Sequence, residues 1–221
     1  MSSHPLRAVV FDLDGLMFNT EDLYQYVGGE VLRRRGKMFD AELLDMIMGR
    51  PGPVALQMMI DYHALEATVE QLAAESDTVF DEILDDRLAL MPGLEMLLAA
   101  LEAADLPKAI ATSSGRRFVE RVLGKFALQP RFEFILTSED ISHGKPHPEI
   151  YLLAAGRLEL PPGEVLVLED SANGCRAAVA AGMYTVAVPG GHSRTHQFPG
   201  AQFVASTLAD PQLFQVLGLA R

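Results

Sequence analysis

The sequence predicts an α/β protein, with a parallel-sheet domain interrupted by an inserted all-helical segment. Three observations carry that prediction. Short, unbroken runs of apolar, β-favouring residues recur along the chain, helical periodicity follows several of them, and one stretch from Phe18 to Leu90 shows helical periodicity alone. With 221 residues the chain can build one large core or a core carrying a sizeable insertion, and at 49% hydrophobic residues it is too apolar for a disordered chain.

Taken in order, Ala8-Val9-Val10-Phe11 is continuous and apolar, the pattern of a parallel strand covered on both faces. It runs into Asp12-Leu13-Asp14-Gly15. The stretch that follows contains no convincing strand. Helical residues surround Leu43, Leu44, Met46, Ile47 and Met48 until Pro51-Gly52-Pro53 breaks the pattern. A longer helix runs through Leu72, Ser76, Val79, Phe80, Ile83 and Leu84, and Thr68 with Gln71 offers a capping box at its start. Met46, Met48, Met58 and Met59 are expected to fill the core of this module.

Pro92-Gly93 marks re-entry into the sheet domain, ahead of a helix with Leu94, Leu97, Leu98 and Leu101. Lys108-Ala109-Ile110-Ala111 forms the next strand, ending in Thr112-Ser113-Ser114-Gly115 before a helical pattern with Phe118, Val122, Leu123 and Phe126. Val165 to Leu168 repeats the design, ending in Glu169-Asp170-Ser171 before a helix through Gly174 to Gly182. Thr185 to Val188 and Phe203-Val204 read as further strands. Strands alternating with helices imply βαβ units and a parallel sheet. The expected organisation is a sheet domain over 1–17 and 91–221, with a helical domain over 18–90.

Eighteen basic residues against thirty acidic ones give a formal charge of −12, the wrong sign for binding nucleic acid or an anionic membrane. The single cysteine, Cys175, fits a reducing compartment and the role of a small buried hydrophobe on a helix. No apolar stretch precedes the first strand, and no window is long and apolar enough to cross a bilayer. A soluble, cytoplasmic protein is expected. No heptad seam or apolar surface stripe points to an oligomeric state.

In open α/β sheets ligands bind outside the carboxyl ends of the strands, which is where Asp12 and Asp14 lie. Strand geometry sends alternate side chains to one side, so the pair can converge. Two like charges held that close need a cation, and a hard ion such as Mg²⁺ favours oxygen ligands. Thr112 and Ser113, Lys145, and Glu169 with Asp170 also fall at loop or strand-end positions. Each alone has an ordinary structural use as a turn, helix-cap or solvated residue. Together they combine a hard-metal site with an anion site, the combination phosphoryl transfer needs.

Four segments in order resemble the motifs of the haloacid dehalogenase superfamily, in the branch with a helical cap that includes β-phosphoglucomutase and many sugar-phosphate phosphatases. They are Asp12-Leu13-Asp14-Gly15-Leu16-Met17-Phe18-Asn19-Thr20, Ala111-Thr112-Ser113-Ser114, Gly144-Lys145-Pro146-His147-Pro148, and Leu168-Glu169-Asp170-Ser171-Ala172-Asn173-Gly174. The resemblance implies a Rossmann-like core with an inserted helical cap. It makes Asp12 the nucleophile that forms an aspartyl-phosphate and Asp14 the general acid/base. It also implies Mg²⁺ held by the carboxylates of Asp12, Glu169 and Asp170 and by the backbone carbonyl of Asp14. Thr112 and Ser113 would hold the phosphoryl group, and Lys145 would bridge it to the nucleophile.

The resemblance leaves substrate and acceptor to the cap, with Thr20, Tyr24 and Arg50 as candidates for substrate contact. In the mutase a histidine stands where this chain has Tyr24, and basic residues stand where Met48 to Pro53 offers only Arg50. A phosphatase acting on a small phosphorylated metabolite is therefore favoured, with a phosphomutase as the alternative. Asp14 argues against a dehalogenase, and the size of the helical insertion argues against a phospho-accepting receiver domain. His143 and His147 beside Lys145, and His192 and His196 in a later loop, are expected to be solvated loop residues.

Overall fold

The computed structural model describes residues 5–47 and 52–219, with His192 entering through its backbone alone. The chain divides into two compact units, Met1–Asn19 with Ala89–Arg221, and Thr20–Leu88.

The first unit is built on a six-stranded sheet. Its strands are β1 (Ala8–Phe11), β2 (Lys108–Ala111), β3 (Ile135–Leu136), β4 (Val165–Glu169), β5 (Tyr184–Ala187) and β6 (Phe203–Val204). They pair in the order β3-β2-β1-β4-β5-β6, every pair parallel. The order reverses at β1, so β1 and β4 flank the switch point where such sheets bind their ligands. Val10 lies opposite Ala109 on one side and Val167 on the other. β1, β2 and β4 are buried along their whole lengths, as unbroken apolar strands in a covered parallel sheet must be.

β3 is the strand the sequence pattern does not reveal. It is two residues long at the sheet edge, registered through Ile110 opposite Ile135, and too short to show any periodicity. β4 and β5 differ by one residue from the expected limits.

Flanking helices cover the sheet. Leu94, Leu97, Leu98 and Leu101 are fully buried on the helix Leu94–Ala103, whose amino end starts at Gly93 in a left-handed conformation. A Cβ at Gly93 would collide with the backbone at Leu208 and Ala209, so glycine is required for space as well as for φ. Val10, Ala109 and Val167 share one core cluster with Tyr151, Ala154, Ala177 and Ala178 from the helices Glu149–Leu158 and Ala172–Ala180.

The chain leaves this unit and returns to it along a paired neck. Met91 N–H donates to Met17 O at 2.9 Å, Asn19 N–H to Ala89 O at 3.2 Å, and Ala89 N–H to the Asn19 side chain at 2.8 Å. Phe18 and Leu90 form an antiparallel bridge between them. Because the neck is hydrogen-bonded to itself, Phe18, Asn19, Ala89 and Leu90 group with the sheet unit.

The second unit contains the helices Thr20–Arg33, Ala41–Ile47, Gly52–His63 and Val69–Arg87, and no strand among its described residues. The longest opens with the expected capping box. Thr68 Oγ1 accepts from Gln71 N–H and the Gln71 side chain accepts from Thr68 N–H. Leu72, Val79, Phe80, Ile83 and Leu84 are buried along one face of it.

The methionine expectation needs correcting. Met59 is buried, Met58 is half-buried and Met46 is exposed, while Met48 lies outside the described residues. Ala41–Ile47 is under two turns long and buries Leu43 alone, leaving Met46 on its outer face.

Candidate active site

β1, β2 and β4 deliver the chemistry-bearing residues at their carboxyl ends. The Asp12 backbone N–H still donates to Leu168 O at 3.0 Å, so this carboxylate is fixed as the last rung of the β1–β4 ladder. Asp12, Glu169 and Asp170 are all buried, and one carboxylate oxygen of each falls within 4.8 Å of the others. Lys145 reaches into this group from the loop before the helix Glu149–Leu158. Its Nζ lies 2.5 Å from Asp12 Oδ1, 2.6 Å from Glu169 Oε1 and 3.0 Å from Ala111 O. Only 6% of the Lys145 side chain is exposed, so it is no solvated loop cation.

Charge at this cluster is unbalanced, because three buried carboxylates face one ammonium. Burial, with the charges of Glu169 and Asp14 adding to it against the pull of Lys145, pushes the Asp12 carboxyl up to about 8. Burial pulls the Lys145 ammonium down, but Asp12 and Glu169 outweigh it and hold the ammonium above its ordinary value.

Glu169 is also held by residues that sequence reasoning missed. Tyr151 Oη donates to Glu169 Oε1 at 2.7 Å, and Ser171 donates to Oε2 from its hydroxyl at 2.9 Å and its backbone N–H at 3.2 Å. Both carboxylate oxygens are thus occupied. Ser171 Oγ accepts in turn from Gly174 N–H, which makes Ser171, and neither acid before it, the N-cap of Ala172–Ala180. A Cβ on Gly174 would run directly into the Glu169 carboxylate. Tyr151 could have been suspected, since a buried phenol needs an acceptor.

Asp14 sits in a separate polar niche. Ser114 Oγ donates to Asp14 Oδ2 at 2.6 Å and Thr112 Oγ1 approaches the same oxygen at 3.3 Å. The buried Thr112 hydroxyl also accepts from Ser114 N–H at 3.0 Å. Ser113 is exposed, and neither Thr112 nor Ser113 caps the next helix, whose N-cap is Gly115. Ser114 is a third missed partner, visible in sequence only as the last hydroxyl of a Thr-Ser-Ser run. Gly15 turns the chain after Asp14 at φ 74°, a conformation glycine reaches without strain.

The remaining candidates belong to the second unit. Thr20 opens the first helix of the second unit, and Tyr24 on that helix is 46% exposed with its ring 5.9 Å from that of Phe80. Arg50 lies outside the described residues. His196 is exposed, as expected.

Residues 9–188 match the family described as haloacid dehalogenase-like hydrolase. The chain belongs to that family. Two named relatives match over most of this chain and most of their own length. It is 36% identical over 219 residues to the probable pseudouridine-5'-phosphatase of Drosophila melanogaster, covering 95% of this chain and 94% of that protein. It is 32% identical over 182 residues to the phosphorylated carbohydrates phosphatase of Thermotoga maritima, covering 80% and 82%. Among solved structures, CbbY from Rhodobacter sphaeroides in complex with phosphate superimposes with a TM-score of 0.84 at 26% identity, over 97% of this chain and 100% of the other. Family membership and these two phosphatase relatives identify the chain as a haloacid dehalogenase-like phosphohydrolase.

The donor set fits the Mg²⁺ that the family implies. Oxygen-only ligands suit a hard cation, and a divalent ion would favour the ionised form of the buried Asp12 carboxyl that burial otherwise disfavours.

Proposed function

We propose that this enzyme hydrolyses a small phosphomonoester, a sugar phosphate or a nucleoside-like ribose phosphate, through an aspartyl-phosphate on Asp12. The observation that carries the reading is the division of the two acids. Asp12 is clamped by Lys145 among buried carboxylates, while Asp14, two residues on, is held apart by Ser114 and Thr112.

In this reading an Asp12 carboxylate oxygen attacks phosphorus and the bond to the ester oxygen breaks. Asp14 gives its proton to the departing alkoxide. It then takes a proton from water as that water attacks the phosphorus, the Asp12–phosphorus bond breaks, and inorganic phosphate leaves. Lys145 offsets the repulsion between the attacking carboxylate and the phosphoryl oxygens, and the Thr112 hydroxyl and Ser113 N–H hold those oxygens. Mg²⁺, when bound, neutralises charge that develops on the phosphoryl group. Asp12 and Asp170 would hold it by carboxylate oxygens and Asp14 by its backbone carbonyl. Glu169, facing the same cluster, contributes charge and anchors Lys145.

The helical unit is assigned the family's cap role, with Thr20, Tyr24 and Arg50 as the candidates for substrate contact. The free, buried Cys175 supports a cytoplasmic setting. The names of the relatives define the substrate panel, namely pseudouridine 5'-phosphate and phosphorylated sugars. With Mg²⁺, wild-type protein is expected to release phosphate from members of that panel, and Asp12→Asn to release none. Residual turnover in Asp12→Asn would overturn the nucleophile assignment. Transfer of the phosphoryl group to a second sugar hydroxyl without release of phosphate would favour a phosphomutase.

A further inference from the structure

The loop that carries Lys145 also brings together a second constellation of metal-ligating side chains. His143 and His147 stand two residues to either side of Lys145, and both point outward, 67% and 51% exposed. Their rings are tilted at 35° to one another with centroids 4.7 Å apart. Glu149, in the first turn of the helix Glu149–Leu158, completes the group. One donor atom from each of the three lies within 4.8 Å of the other two. As isolated loop histidines they lacked a third ligand in sequence, and the turn of the chain at Pro148 supplies it.

We propose that His143, His147 and Glu149 form a peripheral binding site for a borderline divalent transition ion of the Zn²⁺ class, distinct from the Mg²⁺ site. Two imidazoles and a carboxylate are an established zinc donor set, whereas Mg²⁺ prefers oxygen donors. Around a tetrahedral ion with bonds of about 2.0–2.1 Å the donors stand roughly 3.3 Å apart. The donor atoms here lie within 4.8 Å of one another, and both rings are exposed, which leaves them room to turn.

The carboxylate is already positioned. Glu149 Oε1 accepts from Ser142 N–H at 2.7 Å, and Oε2 accepts from His143 N–H at 3.0 Å and lies 2.7 Å from His143 Nδ1. These bonds fix the orientation of the carboxylate beside the two rings. His143 Nδ1 at 2.7 Å and His147 Nδ1 at 3.8 Å face the same Glu149 Oε2, so these two ring nitrogens and that oxygen are the three donors. An ion bound here would tie residues 143 and 147 together across Lys145, stapling the loop that delivers the ammonium to Asp12.

The test is Zn²⁺ binding by competition with a chromophoric chelator, on full-length protein held in excess Mg²⁺. Wild type is expected to bind one ion per chain. His143→Asn and His147→Asn should each weaken that binding by at least about tenfold, while Asp170→Asn retains it. Co²⁺ is the second probe, because a nitrogen-containing tetrahedral site gives an intense visible absorption band that water-bound Co²⁺ lacks. That band should appear in wild type and vanish in the histidine variants, whose exposed positions leave folding intact as read by circular dichroism. Equal Zn²⁺ affinity in wild type and both histidine variants, or loss of binding in Asp170→Asn alone, would overturn the proposal by placing the ion at the acidic cluster. Absence of any Zn²⁺ binding would overturn it outright.

Discussion

At the scale of single residues, one ammonium holds the site together. Lys145 lies within hydrogen-bonding distance of Asp12, Glu169 and the Ala111 carbonyl, all of them buried. Taking away one partner of a buried ion pair leaves an uncompensated charge, which costs more than the pair is worth against an apolar replacement. Lys145→Met should therefore lower stability in Mg²⁺-free buffer by about 3–5 kcal/mol, read from urea denaturation, and should abolish phosphate release. A variant as stable as wild type would show that Asp12 and Glu169 do not depend on this ammonium. Part of the arrangement was legible from the residue types. Acids and hydroxyls fall after apolar runs, which draws attention to Asp12, Thr112 and Asp170, whereas the role of Lys145 is implied by the family resemblance. Ser114 and Tyr151 were not legible, because their roles depend on which carboxylate folds against them and not on their neighbours in sequence.

At the scale of elements, the junction of β4 with the helix Ala172–Ala180 is the tightest point. Glu169 ends the strand, Ser171 caps the helix, and Gly174 leaves the space that the Glu169 carboxylate fills. Gly174→Ala puts a methyl group into that carboxylate, which must then move off Lys145, Tyr151 and Ser171. The helix-propensity gain of alanine, about 1 kcal/mol, is outweighed, and both the melting temperature and the rate of phosphate release are expected to fall. A more stable, fully active variant would refute this reading. A second contact between elements responds to pH. Glu102, on the helix Leu94–Ala103, is paired to Arg131 at 2.7 and 2.8 Å, and these bonds hold its carboxyl down to about 2. Because the folded value lies below the ordinary 4.5, the stabilisation is present above that pH and is lost as pH falls toward 2. The side chain is 40% exposed, so solvent screening limits the effect to about 0.5 kcal/mol. The stability difference between wild type and Glu102→Gln should shrink to nothing over that range and be smaller in high salt.

For the molecule as a whole, net charge and local charge tell the same story at different ranges. The chain carries a formal −12, and three of its carboxylates are buried together at the switch point of the sheet. A ligand that binds the folded state alone stabilises it by mass action, by about 2.7 kcal/mol at a hundredfold excess over its dissociation constant. Mg²⁺ should therefore raise the melting temperature by several degrees, and a chelator should reverse the shift and stop phosphate release. Asp170→Asn should abolish most of the shift. A melting temperature indifferent to Mg²⁺ would remove the acidic cluster as its site.

The sequence by itself determined the parallel-sheet class, the helical insertion with its Thr68–Gln71 cap, and the acids at the ends of β1 and β4. Each of these is written in local periodicity or in short motifs, where neighbouring residues share one element. Tertiary structure alone decided the edge strand β3, the self-paired neck that keeps Phe18 and Asn19 with the sheet, the exposure of Met46, and the partners of Asp14 and Glu169. It also decided that two loop histidines meet a glutamate. These outcomes depend on contacts between residues brought together by folding, as when Ser114 meets Asp14 a hundred positions earlier, and no local pattern records such a contact.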